Sequence, residues 1–238
     1  MRSKPFSLIL VSLAVAGLAS STVWAKDDLP AINADGMELV KHTKMTTVYK
    51  DPGTDLSGYT SFILEDASVA FKKNWKRDQN RQSLSLSGKA SDKDMQRIRD
   101  KIAASFKDVF AKELAAGGYQ LVDQAGDSVL IIRPAIVNLD VNAPDLRTAS
   151  RTRTFAESAG EMTLNLELID SLTNDKVVVV SDRKRDLGYG FTQWRTSSTN
   201  QADAKRMMMS WAKSFREALD EAKNSVRQGL DEAHGSLK

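Results

Sequence analysis

The chain contains no cysteine and only two histidines, His42 and His234. The first absence excludes a disulfide framework, a thiolate nucleophile, a Cys-ligated zinc site and any thioether-linked lipid. The second makes a His-based triad or a two-histidine metal site depend on the meeting of an irregular N-terminal region with the C-terminal end. No G-x-S-x-G elbow and no phosphate loop occurs, and "GYGFTQ" at 188–193 begins like a dinucleotide fingerprint but carries Gln193 where the last glycine belongs. There is no internal repeat, heptad array or low-complexity tract. With no nucleophile, base or metal cluster in sight, the chain is expected to be non-enzymatic and to hold neither cofactor nor metal.

An uninterrupted apolar run of spanning length is also missing. A membrane-crossing helix needs about 20 apolar residues, whereas the greasy stretch from Phe6 to Ala19 is shorter and contains Ser7, Ser12 and Gly17. Arg2 and Lys4 precede that stretch, and Val23-Trp24-Ala25 supplies a small-x-small pattern before Lys26. This is the layout of a secretory signal peptide over residues 1–25, cut after Ala25. Leu18-Ala19-Ser20 resembles the start of a bacterial lipobox, but Ser21 stands where the acylated cysteine would be. The expected product is a periplasmic protein that is exported, not lipidated, and has no transmembrane segment in its mature form.

Removing 25 of 238 residues leaves 213, enough for one domain that buries roughly two-thirds to three-quarters of its unfolded surface. Held without disulfides, such a domain rests on its hydrophobic core alone. The first 25 residues contain two of the 34 basic and none of the 31 acidic residues, which leaves 32 against 31, a balance of +1 where the whole chain has +3. That balance points to no particular partner, and nucleic acid is not expected.

Residues 26–45 are polar and without period and are expected to form an N-terminal extension, followed by a single domain over 46–238. Gly58 to Phe71 is β-prone with a break near Asp66, predicting one or two strands. Lys72 to Ala90 loses apolar density and is expected to be a long loop. From Ser91, Met95, Ile98, Ile102, Phe106, Val109, Phe110 and Leu114 recur three or four apart, predicting a helix with a capping-box start at Ser91 and Asp94 and a stop at Gly117-Gly118. "YQLVD" at 119–123 and "VLIIRPAIVNLDV" at 129–141 are expected to pair, with Pro134 marking a sheet edge or a bulge. "GEMTLNLELID" alternates strictly, predicting a half-buried strand with a hairpin partner in "VVVVSD" from Val177. A second long helix is expected from about Asn200 to Ala233, buried along Met208, Trp211, Ala212, Phe215, Leu219, Ala222, Val226 and Leu230. Together these predict an α+β fold, a largely antiparallel sheet with two long amphipathic helices packed on one face.

Two local concentrations of positive charge are the candidate contact residues. Lys72, Lys73, Lys76 and Arg77 surround Trp75, and Arg147, Arg151 and Arg153 lie in a segment without acids between Asp145 and Glu157. Clusters of this kind raise the local field even at a modest net charge and suit another envelope protein, an anionic lipid or a glycan. Against this stands the plainer reading of solvated loops, with Trp75 and Trp194 as packing residues. The pairs Glu65-Asp66, Asp140-Asp145 and Glu157-Glu161 are close enough in sequence to share a cleft, as a carboxylate-dependent glycan hydrolase would require. Surface acids are the plainer reading of these too.

"DLSGYTSFILED", "LAAGGYQLVDQAGDSVLIIRPAIVNLDVNAPD", "SAGEMTLNLELIDSLTNDKVVVVSDRK" and "TNQADAKRMMMSWA" resemble, in this order, a bacterial envelope family known as domain of unknown function 3313. The likeness runs from about Val48 to Leu219. Many members of the family look like lipoproteins, from which this chain departs at Ser21. The resemblance implies an envelope protein and carries no catalytic residue with it. The function expected is therefore that of an accessory or binding protein of the cell envelope, with binding of anionic lipid or lipopolysaccharide as the alternative and a glycan hydrolase behind both.

Overall fold

The computed structural model describes residues 29–82, 89–142, 144, 154–156, 160–186, 193–195 and 197–235. Two compact units are separable, Met1–Pro30 and Ala31–Lys238, and every element named below belongs to the second. The signal-peptide reading at 1–25 and the cluster Arg147, Arg151 and Arg153 lie outside the described residues.

The described elements are mixed α/β, with an eight-stranded, mostly antiparallel sheet and three helices. The strands are β1 (Glu38–His42), β2 (Thr46–Lys50), β3 (Ser61–Leu64), β4 (Ser68–Phe71), β5 (Gln120–Leu121), β6 (Val129–Val141), β8 (Gly160–Asp170) and β9 (Lys176–Arg185). β7 (Thr154–Ala156) pairs separately with β10 (Gln193–Arg195). The helices are α1 (Trp75–Gln82), α2 (Asp92–Ala116) and α3 (Ser197–Gly235). Sheet order is β1-β2-β9-β8-β6-β3-β5, with β4 also beside β6. Parallel pairing is confined to β3 and β4 against β6 and to β3 against β5.

β8 follows its alternation: Met162, Leu164, Leu166 and Leu168 are buried, and β9 returns beside it as the hairpin partner. β6 is the central strand, with Leu130, Ile132 and Ile136 fully buried. Its phase then changes. Between Val137 and Asp140 the pairing with β8 slips by one residue, and Asn138 adopts a left-handed φ of 52°. One extra residue in one strand moves every later side chain to the opposite face, which is how Leu139 reaches the core that Ile136 also occupies.

Pro134 marks neither an edge nor the bulge. The Ile132 carbonyl accepts from the Glu65 amide on the β3 side, and two residues on, Pro134 faces the same way. β3 has ended at Leu64 and β4 has not begun before Ser68, so the missing N–H of Pro134 falls where there is no neighbour to receive it. The expected pairing of 119–123 with 129–141 is likewise corrected, because β3 lies between β5 and β6 and pairs with both.

Two further expectations change. Lys72 to Ala90 is not all loop: Trp75–Gln82 is a helix, anchored by the burial of Trp75 and entered through Asn74 at φ 65°. So short a helix is stabilised by its tertiary anchor more than by its own composition, and its apolar pattern is correspondingly faint. Residues 38–42, within the stretch expected as a polar extension, form edge strand β1 against β2.

The capping box of α2 is present, Ser91 accepting from the Asp94 amide at 3.1 Å and Asp94 accepting from the Ser91 amide at 3.1 Å. Gly118, at φ 77°, ends the helix without a side-chain penalty. α2 buries Ile102, Phe106, Val109, Phe110 and Leu114, and α3 buries Ala204, Met208, Trp211, Ala212 and Leu219 in the same hydrophobic core. The α3 stripe is shorter than its sequence period, since Val226 is exposed. Arg216 of α3 bridges Glu113 of α2 at 2.8 Å and, one turn along α3, Asp220 at 2.7 Å, and the Tyr119 hydroxyl donates to Asp220 at 2.8 Å.

Candidate functional site

The basic residues at 72–77 are largely spent on ion pairs within the fold. Lys72 meets Asp140 at 2.8 Å, Lys76 meets Asp92 at 2.8 Å and Arg77 meets its neighbour Asp78 at 2.9 Å, while Lys73 is exposed. Hydrogen bonding to Asp140 holds the Lys72 ammonium above its ordinary pKa. Trp75 is only 4% exposed, donates from Nε1 to the Val141 carbonyl at 3.2 Å and lies 4.4 Å from the Phe71 ring, over which Arg99 stacks. It is a packing residue with no ring face to offer a partner.

The carboxylate pairs fare similarly. Glu65 is held by Arg133, Asp66 by Lys107, Asp140 by Lys72 and Glu161 by Arg183. Asp145 and Glu157 lie outside the described residues. His42 sits on exposed β1 with Nδ1 3.3 Å from the Thr47 hydroxyl, and the side chain of His234 is outside the described set. Among the described residues, no group of three or more His, Asp or Glu is placed to hold a metal ion.

One concave feature lies at one end of the core. It is a cavity of about 80 Å³ between the first half of α2, the last residues of β6, the first residues of β8 and the start of α3. Its lining is mostly apolar, including Ile98, Ile102, Leu139, Met162, Ala204 and Met207, with Arg97, Lys101, Asp140 and Glu161 among the polar members. Arg97 also bridges Asp94 at 2.8 Å. Burial pushes the Asp94 carboxyl up, but its hydrogen bonds from Ser91 and Arg97 outweigh this and hold it below the usual value.

Local backbone geometry builds one wall. Gly160 opens β8 at φ 134°, opposite Val141, and a Cβ there would lie 1.8 Å from the Asp140 carbonyl oxygen. Only glycine lets the two strands approach so closely. Together with the Asn138 bulge, this brings Leu139 and Met162 to the same cavity. Arg97 and Lys101 border the apolar stripe of α2 beside Ile98 and Ile102, and their spacing of four residues was the one sequence signal for the site. What set the opposing strands against them was the bulge and the glycine contact, neither of which has a periodicity.

A second, wider hollow is lined by Asp51, Tyr59, Asp170, Asp175 and Lys176 among others. The Tyr59 hydroxyl donates to Asp170 at 2.8 Å, and burial together with that bond pushes its pKa up to about 12.

The model of the family described as "Protein of unknown function (DUF3313)" matches residues 34–215, well over half of the chain. No curated protein matches the sequence. Among solved structures, the PelC dodecamer from Paraburkholderia phytofirmans is similar at 13% identity and a TM-score of 0.33, covering 70% of this chain and 96% of that one. A minor lipoprotein from Acinetobacter baumannii is similar at 10% identity and a TM-score of 0.28, covering 70% of this chain and 95% of that one. No helix among the described residues is long and apolar enough to cross a membrane.

Proposed function

Since the chain belongs to the DUF3313 family, we propose that it is a non-enzymatic binding protein of the cell envelope, whose contact surface is the end of the domain where α2, α3, β6 and β8 meet. The observation that carries this reading is the mostly apolar cavity bounded by all four elements. Support also comes from the polar chemistry elsewhere among the described residues: the candidate acids Glu65, Asp66, Asp140 and Glu161 and the cations Lys72, Lys76 and Arg77 are all engaged in ion pairs within the fold. Pro144 and Gly160, which bracket the segment carrying Arg147, Arg151 and Arg153, both line the cavity. In this reading those three arginines and the exposed Lys73 meet the partner.

The same reading has residues 1–25 act as a signal peptide removed in the periplasm, leaving Lys26 as the first residue of an unlipidated chain. One α+β domain follows, extended on its N-terminal side to include β1. Its two long helices cover one face of the sheet. The other face is wet, as the ladder of Arg133 with Glu65, Lys176 with Glu167 and Arg183 with Glu161 suggests.

The test is site-specific photo-crosslinking in intact cells, with the photoreactive residue placed at Lys101 or Gln201 on the cavity and, as control, at Asn165 on the wet face. The expected outcome is an envelope adduct from the two cavity positions and none from the control. Equal labelling at all three positions, or at the control alone, refutes the choice of surface. An intact mass that still contains Trp24 refutes the export reading.

A further inference from the structure

We infer that the tip of the β1–β2 hairpin seats the domain on an anionic lipid surface, with Lys41 and Lys44 among the headgroup phosphates and Val40 and Met45 against the lipid. The tip stands at the end of the sheet where the proposed contact surface lies: Thr46 pairs with Asp182 of β9, and three residues further along β9, Arg185 pairs with Glu161 at the start of β8. The inference goes beyond that reading, because it assigns to the same end of the domain a lipid surface that the partner contact does not require.

Six consecutive residues, Val40 to Met45, are exposed. Two of them are apolar, Val40 at 57% exposure and Met45 at 39%. Apolar side chains on an edge strand can serve to receive a further strand, but this edge is closed to one. The Leu39 amide donates to the Ala31 carbonyl, and the pairing of β1 with β2 slips between Leu39 and Lys41. A covered and bulged edge resists strand addition. None of the six residues lines either hollow, so the tip has no concave floor for a shaped ligand, and a fluid headgroup layer admits it without one.

The sign of the surface follows from charge placement. From Leu39 to Lys50 the chain carries Lys41, His42, Lys44 and Lys50 and neither Asp nor Glu. The nearest acid before this stretch, Glu38, is at the other end of the hairpin, opposite Lys50. On the next strand but one to β1, the Arg183 amide donates to the Met45 carbonyl, and Arg185 follows as a further exposed cation. Lys41, Lys44 and Arg185 make no ion pair among the described residues. The acids on the neighbouring strands are already engaged: Asp182 accepts from Trp211 at 2.6 Å, Glu161 is held by Arg183, and Asp186 by Arg206 at 3.7 Å. Positive charge is therefore in excess at the tip, beside two apolar side chains, which is the combination that an anionic bilayer surface receives.

The probe is extruded vesicles, one set of equal parts phosphatidylcholine and phosphatidylglycerol and one of phosphatidylcholine alone, titrated into the chain from Lys26 and read by co-sedimentation. Binding to the anionic set is expected to be about tenfold tighter than to the neutral set and to fall as salt is added. Lys41→Gln and Lys44→Gln should each weaken it about fivefold, and Val40→Ser about threefold. Arg227→Gln removes an exposed cation about 40 Å along α3 from the cavity end and should leave binding unchanged. All four positions are exposed, and circular dichroism verifies that each variant folds. No binding to the anionic set, equal binding to both sets, unchanged binding in the lysine or valine variants, or a loss that Arg227→Gln shares equally overturns the inference. If crosslinks form from Lys101 and Gln201 but the vesicles do not bind, this inference falls and the contact surface stands; if the vesicles bind through the tip and those crosslinks are absent, the contact surface falls and the lipid contact stands.

Discussion

Gly160→Ala is the sharpest test of how the cavity wall is built. At φ 134° the backbone occupies a region that side-chain-bearing residues rarely adopt, at a cost of about 1–3 kcal/mol. The added Cβ would sit 1.8 Å from the Asp140 carbonyl oxygen and 2.9 Å from its carbon. A carbon and an oxygen settle no closer than about 3.3 Å, so the β6 and β8 backbones must part by more than an ångström. The pairing of Val141 with Gly160 and of Asp140 with Glu161, and the bond from the Asp186 amide to the Gly160 carbonyl, all lie at this point. Losing one or two of these hydrogen bonds adds about 1 kcal/mol each, for a total of about 2–5 kcal/mol. In a domain of this size that lowers the midpoint of thermal unfolding by about 4–20 °C.

The assay is thermal and denaturant unfolding followed by circular dichroism, with Gly118→Ala as the matched control. Gly118 has φ 77° and nothing within 4 Å of its Cβ position, so that variant bears only the left-handed strain of about 1–2 kcal/mol. If the two variants lose the same stability, or if Gly160→Ala stays within about 0.5 kcal/mol of the parent, the close approach of β6 and β8 is not what requires glycine.

Removing the α2 cap by Ser91→Ala is expected to cost about 1–2 kcal/mol at neutral pH. Ser91 also helps hold Asp94 below its ordinary 3.8, a contribution to stability that is present above that value and lost as pH falls through the folded-state pKa. Denaturant unfolding at neutral and acid pH should therefore show the gap between variant and parent narrowing as pH drops below that range, and a constant gap refutes the linkage. Tyr59, pushed up to about 12 by burial and Asp170, and Tyr119, raised by burial and Asp220, stay protonated in the fold at pH values where the unfolded chain ionises from 10 upward. Stability is accordingly full below pH 10 and declines as pH rises towards 12 and beyond. Ultraviolet titration should show Tyr59 and Tyr119 ionising later in the folded protein than in the unfolded chain, read through Tyr59→Phe and Tyr119→Phe difference titrations; difference spectra that ionise at the unfolded position contradict it. Trp211→Phe deletes the indole N–H that donates to Asp182 at 2.6 Å, a carboxylate that the Thr46 hydroxyl also reaches. The expected loss is about 1.5–3 kcal/mol by denaturant unfolding, and a change below about 0.5 kcal/mol would rule out a structural role for that bond.

Much of the architecture was legible because it rests on period. The α2 stripe from Ile102 to Leu114, its Ser91 cap and Gly118 stop, the alternation of β8 and its hairpin with β9 each depend on residues near one another in the chain, where spacing and propensity act directly. Family membership was legible for a related reason, since the segments that carry it are these same elements. The α1 helix was illegible because its support comes from one buried tryptophan against Phe71 and the Val141 carbonyl, contacts with partners up to 66 residues away. Charge clusters misled in the same manner: Lys72 and Lys76 are basic in sequence, but Asp140 and Asp92 balance them in space.

The sequence by itself determined the strongly periodic elements, β8, β9, α2 and much of α3, which face of β8 and of α2 is apolar, and that no thiol chemistry is open to this protein. Tertiary structure alone decided the neighbours. It inserted β3 between β5 and β6, let Pro134 fall opposite the gap between β3 and β4, and used the Asn138 bulge with Gly160 to bring Leu139 and Met162 against Ile98 and Ile102. Periodicity reports the face a side chain is on, because that depends on local backbone geometry. Which strand lies beside which, and what cavity their ends enclose, depends on contacts between residues far apart in the chain, and those leave no local pattern.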